Sequence, residues 1–217
     1  MTSAAPPTAA DAAFLRLAGA CAIGAGLAGF AYSVAFIGLV VSGAAPDPGR
    51  LLAALALLVG ASLTVVTFAG VYRILLDSAG GLALVALLLG VTGSLGAAVH
   101  GGYDLAVALH PPSGDLGAAG ELPHPIDPRG LLTFGVTGIG TLVVAWLIGR
   151  HPAFPRALGY LGYLAGSLLV AIYLGRLLIV TATDPLVAGP AILTGFLVAP
   201  AWYLWLGVVL RRAGALP

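Results

Sequence analysis

Lysine is absent from this chain, cysteine and methionine occur once each, and charge of either sign is scarce. Only 8% of the 217 residues are charged, where an ordinary soluble domain has about 25%, and 60% are hydrophobic. Mean hydropathy is +1.08. A water-soluble fold is thereby excluded. The formal net charge of +1 offers no basic patch to neutralise phosphates, so no nucleic-acid partner is expected. Cys21 stands alone in an apolar stretch, which rules out an internal disulfide and a cysteine metal cluster. With all nine basic residues arginine and the chain rich in Ala, Gly, Leu and Val, the composition is that of a high-GC bacterial gene and directs the protein to a bacterial plasma membrane.

What the chain does have is six apolar stretches: Ala13 to Val41, Leu51 to Leu75, Leu82 to His110, Leu131 to Ile148, Ala157 to Thr181 and Leu186 to Leu210. Each approaches or exceeds the roughly 20 residues that a membrane-spanning helix needs. The expected fold is all-α, an integral-membrane bundle of six helices. The first stretch is too long for a signal peptide and follows Asp11, so it reads as a retained helix. Residues Met1 to Ala12, mostly Ala, Pro and Thr, read as a disordered tail ahead of a single domain over residues 13–212. Turn chemistry fills the breaks, as at Pro46-Asp47-Pro48-Gly49, Asp77 to Gly81 and Thr183-Asp184-Pro185. One long proline-broken connection, residues 111–129, reads as an ordered extracytoplasmic loop, and no internal repeat is visible.

Arginine counting orients the bundle. With both termini cytoplasmic, the inside holds Arg16, Arg73, Arg150, Arg156, Arg211 and Arg212, and the outside only Arg50 and Arg129, as the positive-inside rule demands.

Asp104 and Arg176 are the charged residues that lie well inside an apolar stretch and not near its end, and such groups are expensive in a bilayer unless paired or hydrated. Asp104 lies about 10 Å and Arg176 about 12 Å from the outward ends of the third and fifth helices, at 1.5 Å per residue. Gly93, Ala97, His100, Gly101 and Asp104 share one helical stripe, and Gly162, Gly166, Tyr173 and Arg176 another. The two stripes are expected to pack together. In one reading Asp104 and Arg176 form a buried ion pair that fixes this packing, with His100 and Tyr103 or Tyr173 completing its hydrogen bonds. In the other, His100, Tyr103, Asp104, Tyr173 and Arg176 line an outward-facing polar pocket, where the arginine holds a small anionic ligand and the His-Asp pair carries a proton.

Metal and haem are not expected. His100 and Asp104, at i and i+4, can reach one ion, but a closed site needs further ligands, and His110, His124 and His151 lie at a helix end or in loops. A bis-histidine haem needs a second histidine deep in the membrane. Among the remaining features, Thr133, Thr137 and Thr141 read as a stripe bonded back to its own helix, Pro200 as a kink, and Arg73 with Asp77 as an interfacial pair.

Arg16-Leu17-Ala18-Gly19, His100-Gly101-Gly102-Tyr103-Asp104, Pro128-Arg129-Gly130 and the run Pro200 to Gly207 together resemble uncharacterised multi-pass bacterial membrane proteins grouped only as a domain of unknown function. The resemblance implies an integral-membrane helical bundle and transfers no activity. The first functional expectation is a structural or accessory membrane protein, assembling with itself or a membrane partner. The second is a small-ligand or proton-binding, transport-like module. The third, an intramembrane enzyme, lacks a nucleophile aligned with His100, Ser94 being six residues away.

Overall fold

Helices form here because a chain this apolar has few side chains with which to satisfy backbone N–H and C=O groups, and only intrahelical bonds do so for every residue. The structure, a computed structural model, describes residues 9–110, 124–179, 181 and 183–215, and these residues form no strand. Five helical segments are long and apolar enough to cross a membrane.

Helix α1 (Ala9–Ser33) continues as a π-helical segment, Val34–Val41, and α2 (Pro46–Leu109) follows. A short turn at Pro128–Gly130 leads into a second π segment, Leu131–Val136, and then α3 (Thr137–Ile148). Next come α4 (Arg156–Leu178), α5 (Pro185–Leu193), a third π segment over Thr194–Val198, and α6 (Ala199–Ala213). The widened π turn comes just before Pro200, which lacks an N–H, so the kink expected at that proline is taken up by a change of helical pitch.

At about 1.5 Å per residue a straight α2 of 64 residues would be roughly 96 Å long, three times the hydrocarbon thickness. It is not straight. Ala79 has non-helical angles, φ −144° and ψ 24°, and the two arms fold back on each other. A Cβ on Gly101 would come within 2.7 Å of the Leu58 amide nitrogen, and one on Gly90 would meet the Phe68 ring. Each pair lies nearly equally far on either side of Ala79, the signature of an antiparallel hairpin. The expected loop over Asp77 to Gly81 is thus a single kinked residue.

The same kind of contact orders the rest. Gly70 meets Ala18, Gly140 meets Gly90, Gly159 meets Gly149, Gly175 meets Val187, and Gly207 meets Gly19. Neighbouring segments run antiparallel, with α6 closing back on α1. Small residues at these crossings let backbones approach closely, which drives association where lipid removes the hydrophobic incentive. Large residues point outward instead: Val99 is 58% exposed, Leu178 77% and Leu197 61%. An apolar exterior over an Ala- and Gly-rich interior is what a bilayer requires.

Two expectations change at the other end of the bundle from the 128–130 turn. The tail expected over Met1 to Ala12 is helical from Ala9, residues 1–8 lying outside the described part. That places Asp11 on a helix, where it takes a bidentate pair from Arg73 at 2.8 and 3.1 Å, so Arg73 bonds to α1 rather than to Asp77. Arg16 donates to the Gly214 carbonyl at 2.7 Å, tying α1 to the end of α6. Residues 111–123 of the expected loop also lie outside the described part.

Candidate functional site

The predicted Asp104–Arg176 pair does not form. Among the described residues the ion-pair partners of Asp104 are two histidines: His100 Nε2 at 3.4 Å and His124 Nε2 at 3.0 Å. Arg176 instead sets its guanidinium over the Phe134 ring, 5.2 Å from the centroid, with Nε buried and without a hydrogen-bond partner. The reason is topological. Segment Leu131–Val136 packs against both α2 and α4 and so stands between the two charges. The small-residue stripes part in the same way: Gly93 meets Thr137 and Gly101 meets Leu58, while Gly162 meets Trp202 and Ala145, and Gly166 meets Leu142. Helix α4 also ends at Leu178, so Arg176 lies in its last turn, nearer the surface than a helix running to Thr181 implies.

What forms around Asp104 is a chain of alternating acids and imidazoles. His100 and Asp104 share a face of the second arm of α2, one turn apart. His124 comes in from the proline-rich connection, stacks on His100 with centroids 3.8 Å apart, and meets the edge of Tyr103 at 5.4 Å. Asp127 closes the chain, its Oδ2 lying 3.5 Å from His100 Nδ1, a long contact that Thr133 Oγ1 shares at the same distance. The Asp127 side chain is fully buried. It accepts the Leu132 amide at 2.8 Å and the Thr133 amide at 3.0 Å, capping the π segment that begins α3. Burial pulls its carboxyl up, but the His100 and Thr133 side chains and these two amides outweigh it and hold the group well below the usual carboxylate range.

The backbone fixes the tautomer of His124. Its Nδ1 accepts the amides of Ile126 at 3.3 Å and Asp127 at 3.2 Å, so the proton of the neutral ring sits on Nε2 and is donated to Asp104. Burial, only partly offset by the Asp104 bond, lowers the pKa of this ring. His100 has a carboxylate opposite each ring nitrogen, and the doubly protonated ring is the form that donates to both.

His100, Tyr103 and Asp104 are therefore brought together, and Tyr173 and Arg176 are not with them. Tyr173 lies against the backbone of Gly135. Sequence reasoning missed His124 and Asp127 as members of the site; the signal present was His124-Pro125-Ile126-Asp127, a short polar turn placed shortly before an apolar helix. Thr137 and Thr141 bond back to their own helical run as expected, at 2.9 and 2.8 Å, whereas Thr133 turns its hydroxyl to His100 instead.

Donor atoms of His100, Asp104 and His124 all lie within 4.8 Å of one another, so the third metal-ligating group thought to be out of reach is present. The donor set does not fit a cation well. A neutral His124 ligating through Nε2 would need its proton on Nδ1, which already faces two amide N–H donors. Elsewhere, a cleft of about 760 Å³ at the opposite end of the bundle is lined by Trp146, Arg150, His151, Arg156, Tyr160 and Tyr163. Amphipathic rings and arginines of this kind are the usual furnishing of a bilayer surface. No protein-family model matches the chain, and no curated protein or solved structure is significantly similar to it.

Proposed function

We propose that this is a multi-pass membrane protein that crosses a bacterial plasma membrane six times, with both termini cytoplasmic, and that binds and relays protons through Asp127, His100, Asp104 and His124 at its extracytoplasmic end. The arginine distribution and the α2 hairpin support six crossings in that orientation, since each arm of the hairpin is long enough to span. The observation that carries the relay is His100 held between two carboxylates, with His124 donating to the same Asp104. Alternating acid and base groups at hydrogen-bonding distance let a proton move by small rearrangements, and ionisable chains inside membrane proteins mark such paths. The Asp104–Arg176 pair expected to set packing does not form, which removes that pair from the structural or accessory reading but leaves assembly through the small-residue helix faces untouched.

The test is nitrogen-15 NMR of the histidine rings, with the full chain in lipid nanodiscs, followed across pH. Coupled titrations of His100 and His124 are expected, with Asp104→Asn separating them. Two independent titrations that Asp104→Asn leaves unchanged would remove the relay.

A further inference from the structure

Beside the histidine chain, at the Pro128–Gly130 turn and the last turn of α4, two arginines each carry a buried nitrogen without a hydrogen-bond partner. Arg176 has a buried Nε with no acceptor, and Arg129 has a buried Nη1 in the same state. The Pro128–Gly130 turn that carries Arg129 packs on α4, which carries Arg176. Phe134 links them: its ring lies under the Arg176 guanidinium and against Gly130, where a Cβ would collide with it. Arg129 and Asp127, of opposite charge, both lie close enough to Arg176 to act on it electrostatically. Asp127 is the one carboxylate of that group, and its oxygens are already engaged by two amides and by His100.

Arg129 is also held in a strained conformation. Its φ of 61° and ψ of 6° are left-handed, and it is the one described residue other than glycine with positive φ. An L side chain pays about 1–2 kcal/mol there, and such outliers gather where the backbone must aim a side chain for a purpose. Gly130 is left-handed too, at φ 77°, so the turn places two successive residues in that region. A glycine at 129 would relieve the strain, and an arginine kept there at that cost points to a use for its side chain.

We infer that Arg129 and Arg176 form a binding site for a phosphate-type oxyanion at the end of α4, the unfilled Nη1 and Nε donors facing the bound group. Two planar guanidinium forks match the oxygens of a tetrahedral anion, and placing one between them removes the repulsion of two like charges at low dielectric. Arg176 lies in the last turn of a membrane-length helix, the depth of a lipid headgroup, so the oxyanion is supplied by a phospholipid or by free phosphate. The site adjoins the histidine chain at Asp127 but draws its donors from Arg129 and Arg176 alone, and it stands whether or not that chain moves protons.

The full chain is purified in a zwitterionic detergent lacking phosphate. One arm titrates inorganic phosphate and follows thermal unfolding; the other adds phosphatidylglycerol, or diacylglycerol as a phosphate-free control, and reads retained lipid by native mass spectrometry. Arg129→Gln and Arg176→Gln are each expected to weaken binding by about tenfold or more, since each removes charge-assisted hydrogen bonds. Arg156→Gln, at the opposite end, leaves it unchanged. A phosphate response that these variants abolish assigns the site to a free anion; selective retention of phosphatidylglycerol that they abolish assigns it to lipid. Failure of both probes to bind, or binding that survives both substitutions, overturns the inference. Where a glutamine variant does not fold, Arg→Lys at the same position keeps the charge but not the fork, and full affinity in that variant also overturns it.

Discussion

Asp127 Oδ2 lies 3.5 Å from His100 Nδ1, so a fully buried carboxylate in a connecting turn orients an imidazole inside a membrane-length helix. The same carboxylate caps the start of the π segment Leu131–Val136 through the Leu132 and Thr133 amides. One side chain thus couples the fold of the 124–133 turn to the protonation chemistry of His100.

Asp127→Asn tests that coupling. The amide group keeps the shape but loses the charge that the two backbone donors and His100 share, and hydrogen bonds to a buried charged group are worth about 1.5–3 kcal/mol. A loss of that order is expected in thermal or denaturant unfolding. Because the folded-state carboxyl is held below its unfolded value of about 3.9, its contribution is complete above that pH and is lost only as pH falls through the lower folded value. The wild-type melting temperature should therefore owe no change to Asp127 between neutrality and about pH 4, and Asp127→Asn should flatten the strongly acid limb.

His124 predicts a dependence nearer neutrality. Burial lowers its folded pKa, so the neutral ring is favoured in the fold; its stabilisation is complete above the unfolded value of about 6.5 and is lost as pH falls through the lower folded value. Melting temperature measured from pH 8 to pH 4 should fall in this range for the wild type and less for His124→Gln. An identical decline in both proteins would show that His124 is not the group responsible.

The α2 hairpin depends on Gly101. A side chain there meets the Leu58 amide nitrogen at 2.7 Å and the Ala54 carbonyl at 2.9 Å, both backbone atoms that cannot swing aside. Gly101→Val is expected to destabilise by about 1–3 kcal/mol, as overpacking does. At Gly29 a Cβ meets nothing within 4 Å, so Gly29→Ala should be tolerated. Equal effects at the two positions in thermal unfolding would argue against a hairpin packed this way.

Orientation is read by labelling in intact cells. In a Cys21→Ala background, Ile126→Cys should react with a membrane-impermeant thiol reagent added outside, and Ala215→Cys only after the cells are opened. The reverse pattern would place the histidine chain on the cytoplasmic side.

Local chemistry, read residue by residue, is enough to set the class of object. Long stretches without charge fixed helices and membrane length, and the i, i+4 spacing of His100 and Asp104 put both on one face, because helical periodicity is local. The expected ends of the first, fifth and sixth stretches fall within a few residues of the helices observed. Tertiary structure decided which charges meet. Depth along two helices cannot say what stands between them, and Leu131–Val136 stands between Asp104 and Arg176, giving Arg176 an aromatic face and leaving Asp104 to the histidines. His124 and Asp127 come from an irregular, proline-rich connection, where no period links sequence position to direction. Their place beside His100 follows from backbone hydrogen bonds that exist only once the turn has folded against α2 and α3.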